Sequence, residues 1–205
     1  MKALKGLLVA IALAVAGAAL WWRRNPSACP YGQRFWVEAP HPLITRERLR
    51  EVLAPQPGER ILEVGPGTGY YTLDVAEWVG EEGSVDILDL QREMLDHTMS
   101  RARERGLTNI RPTQSDATGM PYDDETFAGA YLTTVLGEIP DQDAALRELA
   151  RVLKPGGRLV VGELMGDPHY VGIKGMRLRA AAAGLTFERR SGSVFGFFAR
   201  FSKPA

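Results

Sequence analysis

The run Glu63-Val64-Gly65-Pro66-Gly67-Thr68-Gly69-Tyr70 restricts the possible folds more than any other part of the chain. Its three glycines, at every second position, stand between a short apolar, β-rich segment, Arg60 to Val64, and a segment of helical periodicity, Tyr71 to Val79. A backbone that turns sharply from strand into helix and approaches a ligand closely needs positions without a Cβ. Such a loop opens a parallel α/β unit. A dinucleotide-binding loop spaced GxGxxG would place glycine or alanine at position 70. Tyr70 stands there instead, which disfavours an NAD-type oxidoreductase and frees the helix N-terminus from facing a pyrophosphate.

The rest of the chain repeats the alternation. Strands are predicted at Ser84–Leu88, Ile110–Thr113, Ala128–Thr133 and Arg158–Gly162. The intervening helices are Arg92–Arg105, closed by Gly106, and Asp143–Leu153, whose end is marked by Lys154-Pro155-Gly156-Gly157. A further helix, Leu43–Leu53 with Thr45 able to cap it, precedes the first strand and is stopped by Pro55 and Pro57. Strands alternating with helices over short connections predict a doubly wound α/β domain with a mostly parallel sheet covered on both faces. Leu185–Arg190 and Val194–Ser202, separated by Ser191-Gly192-Ser193, predict a hairpin, so the last strand runs antiparallel. The 205 residues leave room for one such domain, taken as 43–205.

Residues 1–24 read as a membrane anchor. From Gly6 to Trp22 seventeen residues carry no charge, between Lys2/Lys5 and Arg23/Arg24, a length at the lower edge for spanning a bilayer. Trp21 and Trp22 sit where the apolar run meets the arginines, as interfacial aromatics do. The alternative is a cleaved signal sequence, for which Ala16-Gly17-Ala18 supplies a small-x-small site. A lipoprotein signal fits less well, because Pro26 and the arginines separate Cys29 from the apolar run. Residues 25–42 then form a juxtamembrane linker with Tyr31, Phe35 and Trp36 at near-helical spacing, able to lie along a membrane surface or to lid the domain. Cys29 is the single cysteine, which excludes an internal disulfide and a thiolate metal site; it reads as a bystander, and no metal is expected. Acidic and basic side chains balance to zero, so no nucleic-acid backbone is implied as partner.

Two acidic residues fall at strand ends. Asp89, twenty residues past Gly69 and followed by Leu90, can accept two hydrogen bonds from a ribose diol; a plain helix-capping role is the alternative, and Asp86 is a register alternative for the same task. Asp116, in Ser115-Asp116-Ala117, could accept from an adenine amino group while the Ala117 N–H meets a ring nitrogen.

With these residues in order, the chain resembles the class I S-adenosylmethionine-dependent methyltransferases of the small domain 11/25 type. The resemblance covers about Leu43 to Ser202. It rests on Glu63 to Gly69, Asp89, Ser115-Asp116-Ala117 with Pro121 and Phe127, Leu136 to Asp141, and Leu-Ala-Arg-Val-Leu-Lys-Pro-Gly-Gly from Leu149 to Gly157. It implies a Rossmann-like, seven-stranded methyltransferase sheet with S-adenosylmethionine as cofactor. Glu63 with Gly65, Gly67 and Gly69 would hold its amino acid end, Asp89 beside Leu90 the ribose, Asp116 and Ala117 the adenine, and Thr133 would face the methionine end and reacting methyl. Two departures stand out: Ala128 where many relatives carry Asp, and Gly137-Glu138 where many carry two histidines. The family's acceptor contacts therefore do not transfer.

Methyl transfer from a sulfonium needs alignment and exclusion of water, with a base only for a protonated acceptor. Glu138 is the candidate catalytic base; a solvated loop carboxylate is the alternative. His169 and Tyr170 could line an acceptor pocket, while His41 and His97 carry less weight. The short Leu164–Gly172 connection leaves no inserted domain, so the pocket is expected to be open. An open pocket beside an anchor suggests a small-molecule acceptor that is a lipid or quinone, with the domain on the cytoplasmic face of a single-pass anchor (residues 6–22), where S-adenosylmethionine is kept. A soluble acceptor, and an anchored adenosine-ligand binding module without catalysis, are the competing readings.

Overall fold

A computed structural model of the chain describes Ile11, Ala14, Gly17, Trp21 and residues 24–205. Most of the expected 6–22 anchor segment lies outside the described residues, and among those described no helix is long and apolar enough to cross a membrane.

The domain is a seven-stranded sheet in the order β3-β2-β1-β4-β5-β7-β6. The strands are β1 (Arg60–Val64), β2 (Ser84–Asp89), β3 (Ile110–Gln114), β4 (Phe127–Thr133), β5 (Leu153–Leu164), β6 (Thr186–Gly192) and β7 (Gly196–Ser202). The helices are α1 (Phe35–Glu38), α2 (Arg46–Leu53), α3 (Thr72–Val79), α4 (Arg92–Glu104), α5 (Gln142–Val152) and α6 (Ile173–Ala182). β1 to β5 pair in parallel, and β7 pairs antiparallel with both β5 and β6. The mostly parallel sheet and the C-terminal hairpin thus match expectation, with β7 the one strand that runs backwards.

Period-two alternation divides the core between the sheet's faces. Leu62, Val161 and Phe201 pack under α5 and α6 with Leu146, Leu149 and Met176. Their sequence neighbours Ile61 and Val160, and Phe198 three residues before Phe201, face α2 to α4 with Leu49, Val75 and Leu95. Each such buried side chain contributes about 1.5–3 kcal/mol relative to exposure.

Several boundaries moved by a residue or two, and two moved further. The helix expected from Leu43 starts at Arg46, because Thr45 is the cap: its hydroxyl accepts from Arg48 N at 3.3 Å. The Lys154-Pro155-Gly156-Gly157 segment lies inside β5 instead of before it. Leu153 already pairs with Phe127, and the register slips before Arg158 meets Gly129. Gly156, at φ +72°, absorbs the irregularity, while its N–H donates to Lys203 O at 3.0 Å.

Residues 25–42 cross the loops that follow β1 and β2. The Tyr31 N–H donates to Gln91 Oε1 at 3.0 Å, Gln91 Nε2 donates to Cys29 O at 2.9 Å, and the Tyr31 hydroxyl meets His97 Nδ1 at 3.1 Å. Val37 presses on the glycine loop from above, while Phe35 and Trp36 are largely exposed. The segment is a strap over the sheet's ligand-facing edge.

Candidate functional site

The C-terminal ends of β1, β2 and β4 converge beneath the strap on two joined cavities. A narrow one, about 200 Å³, is lined by Val64, Asp89, Leu90, Asp116, Ala117 and Ile139 among others. A wide one, about 580 Å³, reaches Glu63, Tyr70, Trp36, Pro168 and His169. Gly65, Thr133, Glu138 and the strap residues Ser27 to Cys29 line both. The crevice at carboxyl ends of parallel strands is where open α/β sheets bind ligands.

The glycines serve different neighbours. Gly65, φ +68°, lets β1 end under β4's loop: a Cβ there would come 2.5 Å from Val135 Cγ2. Gly67, φ +55°, makes room for the strap, since its Cβ would stand 2.6 Å from Val37 Cγ1. Gly69 does not line either cavity. Its missing Cβ accommodates Thr98 of α4 at 2.9 Å, so this third glycine works in helix packing and not, as expected, against a cofactor.

Three carboxylates mark out the length of a ligand. Glu63 is buried, accepts a hydrogen bond from the Thr72 hydroxyl, and has its carboxyl pushed up to about 7 by burial, against the opposing hydrogen bonds of Thr72 and Tyr131. Asp89 is raised to about 6, again by burial, with the N–H groups of Gln91, Leu90 and Gly67 pulling the other way. Its Oδ1 accepts from Gln91 N at 2.8 Å. Asp116 uses Oδ1 twice, for the Thr118 N–H and hydroxyl at 2.8 Å each. Asp86, the register alternative to Asp89, is excluded: it forms a two-point ion pair with Arg60, 2.9 and 2.7 Å, beneath the sheet's surface.

At the junction of the cavities the buried Thr133 Oγ1 has no hydrogen-bond partner. Thr134 sits at φ +57°, an uncommon conformation for a β-branched residue, held by its N–H to Gly162 O at 2.8 Å. Glu138 faces both cavities. Burial, then the nearby Asp167 charge, push its carboxyl up to about 8, offset by the Cys29 N–H of the strap. Position 137 has to be glycine, because a Cβ would collide with the His169 carbonyl. This is how the 136–138 turn comes to lie against the 165–169 loop. His169 lines the wide cavity, but Tyr170 does not: its hydroxyl donates to Val194 O at 3.3 Å and its ring packs against Phe197.

An adenosine-bearing ligand with a charged amino acid tail fits these residues. Asp89, Asp116 and the Cβ-free Gly65 line the narrow cavity, and the Thr133 hydroxyl, where the arms meet, has no hydrogen-bond partner. Among the described residues no cluster of three His, Cys, Asp or Glu side chains is placed to hold a metal ion. Sequence reasoning did not anticipate Ser27 to Cys29, Val37, Gln91, Met94, Val135 or Ile139 in the lining.

Comparison with known proteins adds a family. Residues 40–170 match the model of the ubiE/COQ5 methyltransferase family. A ubiquinone/menaquinone biosynthesis C-methyltransferase UbiE of Shewanella oneidensis is 36% identical over 122 residues, 59% of this chain and 49% of that protein. The protein of the same name in Vibrio parahaemolyticus is 38% identical over 109 residues, 53% and 42%. The chain thus spans about half the length of these curated relatives. Among solved structures, a SAM dependent methyltransferase from Aquifex aeolicus superposes with a TM-score of 0.78 at 22% identity, covering 85% of this chain and 98% of its own. The [4+2]-cyclase SpnF superposes at 0.70, also 22% identical, covering 78% and 80%. These two likenesses establish the fold alone, and a cyclase among them illustrates that one fold hosts several chemistries.

Proposed function

The chain belongs to the ubiE/COQ5 methyltransferase family, and from that membership we propose that it moves a methyl group from S-adenosylmethionine to a ring carbon of a quinone-type acceptor at a membrane. Residues 6–22 anchor the domain, which faces the cytoplasm where the methyl donor is kept. The observation that carries the reading is the pair of joined cavities, a narrow polar-ended arm beside a wide, largely apolar one, meeting at Thr133 and Glu138.

The cofactor, when bound, supplies a methyl group already activated by the positive charge on its sulfur. Glu63 receives the amino group of its amino acid end, and a cation beside that carboxyl returns it to the charged state. Asp89 accepts from the ribose hydroxyls, with Leu90 covering them. Asp116 and the Ala117 N–H would hold the adenine edge, and the Thr133 hydroxyl would serve the methionine end. The strap excludes water from above, which keeps these electrostatic contacts strong. Glu138, whose carboxyl is pushed up to about 8 by burial, would in its ionised form take the proton from a hydroxyl of the acceptor ring, so that electron density builds on the ring carbon. That carbon would gain the methyl group as the donor's S–C bond breaks, then release its own hydrogen as a proton to solvent as the ring regains aromaticity. The wide arm, with Trp36, Val37, Pro40 and Leu164 along it, holds the apolar body of the acceptor.

Titration calorimetry of the whole chain with S-adenosylhomocysteine, followed by transfer of labelled methyl to a short-chain quinol, tests this. Binding abolished by Asp89→Ala, together with turnover, supports it. Binding without turnover on any quinol would favour the ligand-binding module, and no binding would end the methyltransferase reading.

A further inference from the structure

The outward side of the strap has no part in the chemistry above, apart from the edge of Trp36 that lines the wide cavity. Phe35 and Trp36 are 68% and 69% exposed, and pack edge to face with ring centroids 5.3 Å apart. On the α1 turn, Phe35 lies two positions from Val37 and so roughly opposite it, while Trp36, one position away, lies about a quarter-turn round. Next to them Arg34, Arg46 and Arg101, with Glu38, Tyr70 and His97, surround an open depression. Arg46 pairs with Asp74 at 2.9 Å, Arg34 approaches Glu38 at 3.8 Å, and Arg101 donates to Thr68 O at 2.7 Å. Three guanidinium groups facing two carboxylates leave the depression positive.

We infer that this face docks on an anionic lipid bilayer, with Phe35 and Trp36 in the interfacial layer and the arginine depression over the headgroup phosphates. Tryptophan and phenylalanine beside basic side chains suit that boundary, apolar on one side and wet on the other. The positive depression complements the negative surface potential of such a membrane. The chain enters the strap directly from the apolar 6–22 run, and the ten steps along the chain from Arg24 to Arg34 can extend only about 33–36 Å, so an anchored run would bring this face to the membrane. Trp36, Ala39 and Pro40 also line the wide cavity, so docking here would turn that cavity toward the lipid phase. The inference deepens the membrane part of the proposed function and is independent of methyl transfer.

The test uses the full chain with Trp21→Phe, Trp22→Phe and Trp78→Phe, which leaves Trp36 as the one remaining tryptophan of four. It is bound to phosphatidylcholine vesicles with and without phosphatidylglycerol, carrying bromine at set depths on the acyl chains. The expected result is a blue shift of Trp36 emission, quenching by shallow bromine, and more of both with phosphatidylglycerol. Arg34→Gln should lower the docked-to-undocked ratio about fivefold, the loss of one surface charge near an anionic membrane. If the triple variant misfolds, the difference in quenching between the unaltered chain and Trp36→Phe gives the same reading. Sedimentation with vesicles but no quenching of Trp36 would overturn the docking face and leave the anchor standing. Loss of sedimentation would overturn both. Shielding of Trp36 without lipid, in a species of twice the mass, would assign the face to a second copy and overturn the inference. Binding of S-adenosylhomocysteine by the same samples reports separately on the methyltransferase reading.

Discussion

Alanine at position 67 should separate two costs that a single substitution normally mixes. The first is backbone: at φ +55°, an L-residue with a Cβ loses about 1–2 kcal/mol. The second is collision. The new Cβ would lie 2.6 Å from Val37 Cγ1 but 3.7 Å from Val37 Cβ, so the overlap is entirely with the γ carbon. Relief comes from turning Val37 about χ1, lifting the strap from the loop or bending the loop toward the cavity, at about 1–3 kcal/mol as for other overpacked sites. Gly67→Ala should therefore weaken S-adenosylhomocysteine binding and stability together by about 2–5 kcal/mol. Val37→Ala removes the colliding atom. By itself it costs about 0.5–1.5 kcal/mol in lost packing, but combined with Gly67→Ala it should return the collision term and leave only the backbone term. The coupling energy, from calorimetric titration and thermal unfolding of the four proteins in the cycle, is then about 1–3 kcal/mol in favour of the double variant. Coupling below about 0.5 kcal/mol would mean that Val37 is not seated on the glycine loop, and the strap's role as a roof would fall with it.

Other consequences are simpler to check. Asp89 titrates near 6 without ligand, and ribose hydroxyls donate to its charged form; affinity for S-adenosylhomocysteine should hold above about pH 6 and fall below it, and Asp89→Asn should lose about 10- to 100-fold with that pH dependence flattened, as isothermal titration across pH would read. Glu163 is 1% exposed, has Oε1 unpartnered, and is pushed up to about 8 by burial. A carboxyl raised in the folded state stabilises fully below its unfolded pKa and loses that contribution as pH rises toward 8, so Glu163→Gln should raise the thermal midpoint at pH 8.5 (roughly) and leave it nearly unchanged at about pH 4.5. Glu138→Gln should cut kcat about 10²- to 10⁴-fold while ligand affinity stays within about twofold; unchanged kcat would remove Glu138 from the chemistry.

Much of this site was legible because it is written in local chemistry. A strand, glycines and a helix in succession fix where the sheet edge opens. Asp89, Asp116 with Ala117, and Thr133 then follow as the ends of successive parallel strands, and the cavities include all of them. What stayed hidden depends on packing between distant segments. Nothing in the spacing of Ser27, Cys29 and Val37 says that they will lie on Gly67 and beside Glu138; that follows from Gln91, whose side chain ties the strap at Tyr31 and Cys29. Gly69 was assigned to the cofactor with the rest of the loop through the family resemblance, although a third glycine in such loops commonly serves the packing of the following helix, as its approach to Thr98 illustrates. The choice between Asp89 and Asp86 needed Arg60, which pairs with Asp86 across neighbouring strands. The β5 boundary was lost because a Pro-Gly-Gly segment normally stops an element, and only the pairing of Leu153 with Phe127 keeps it in the sheet.

The position of β7 also governs how the chain reaches this state. Synthesised after β6, it nevertheless lies between β5 and β6, with Ser202 opposite both Arg158 and Thr186. Until residues 196–202 have left the ribosome, β5 presents an open edge and β6 has nothing to pair with. Phe197, Phe198 and Phe201, which join the two apolar layers from this strand, are absent from both cores until then. The glycine loop and its carboxylates can be in place while the sheet is still unfinished, so closure of the domain is a late, long-range step of the kind that slows folding and leaves strand edges open to other chains.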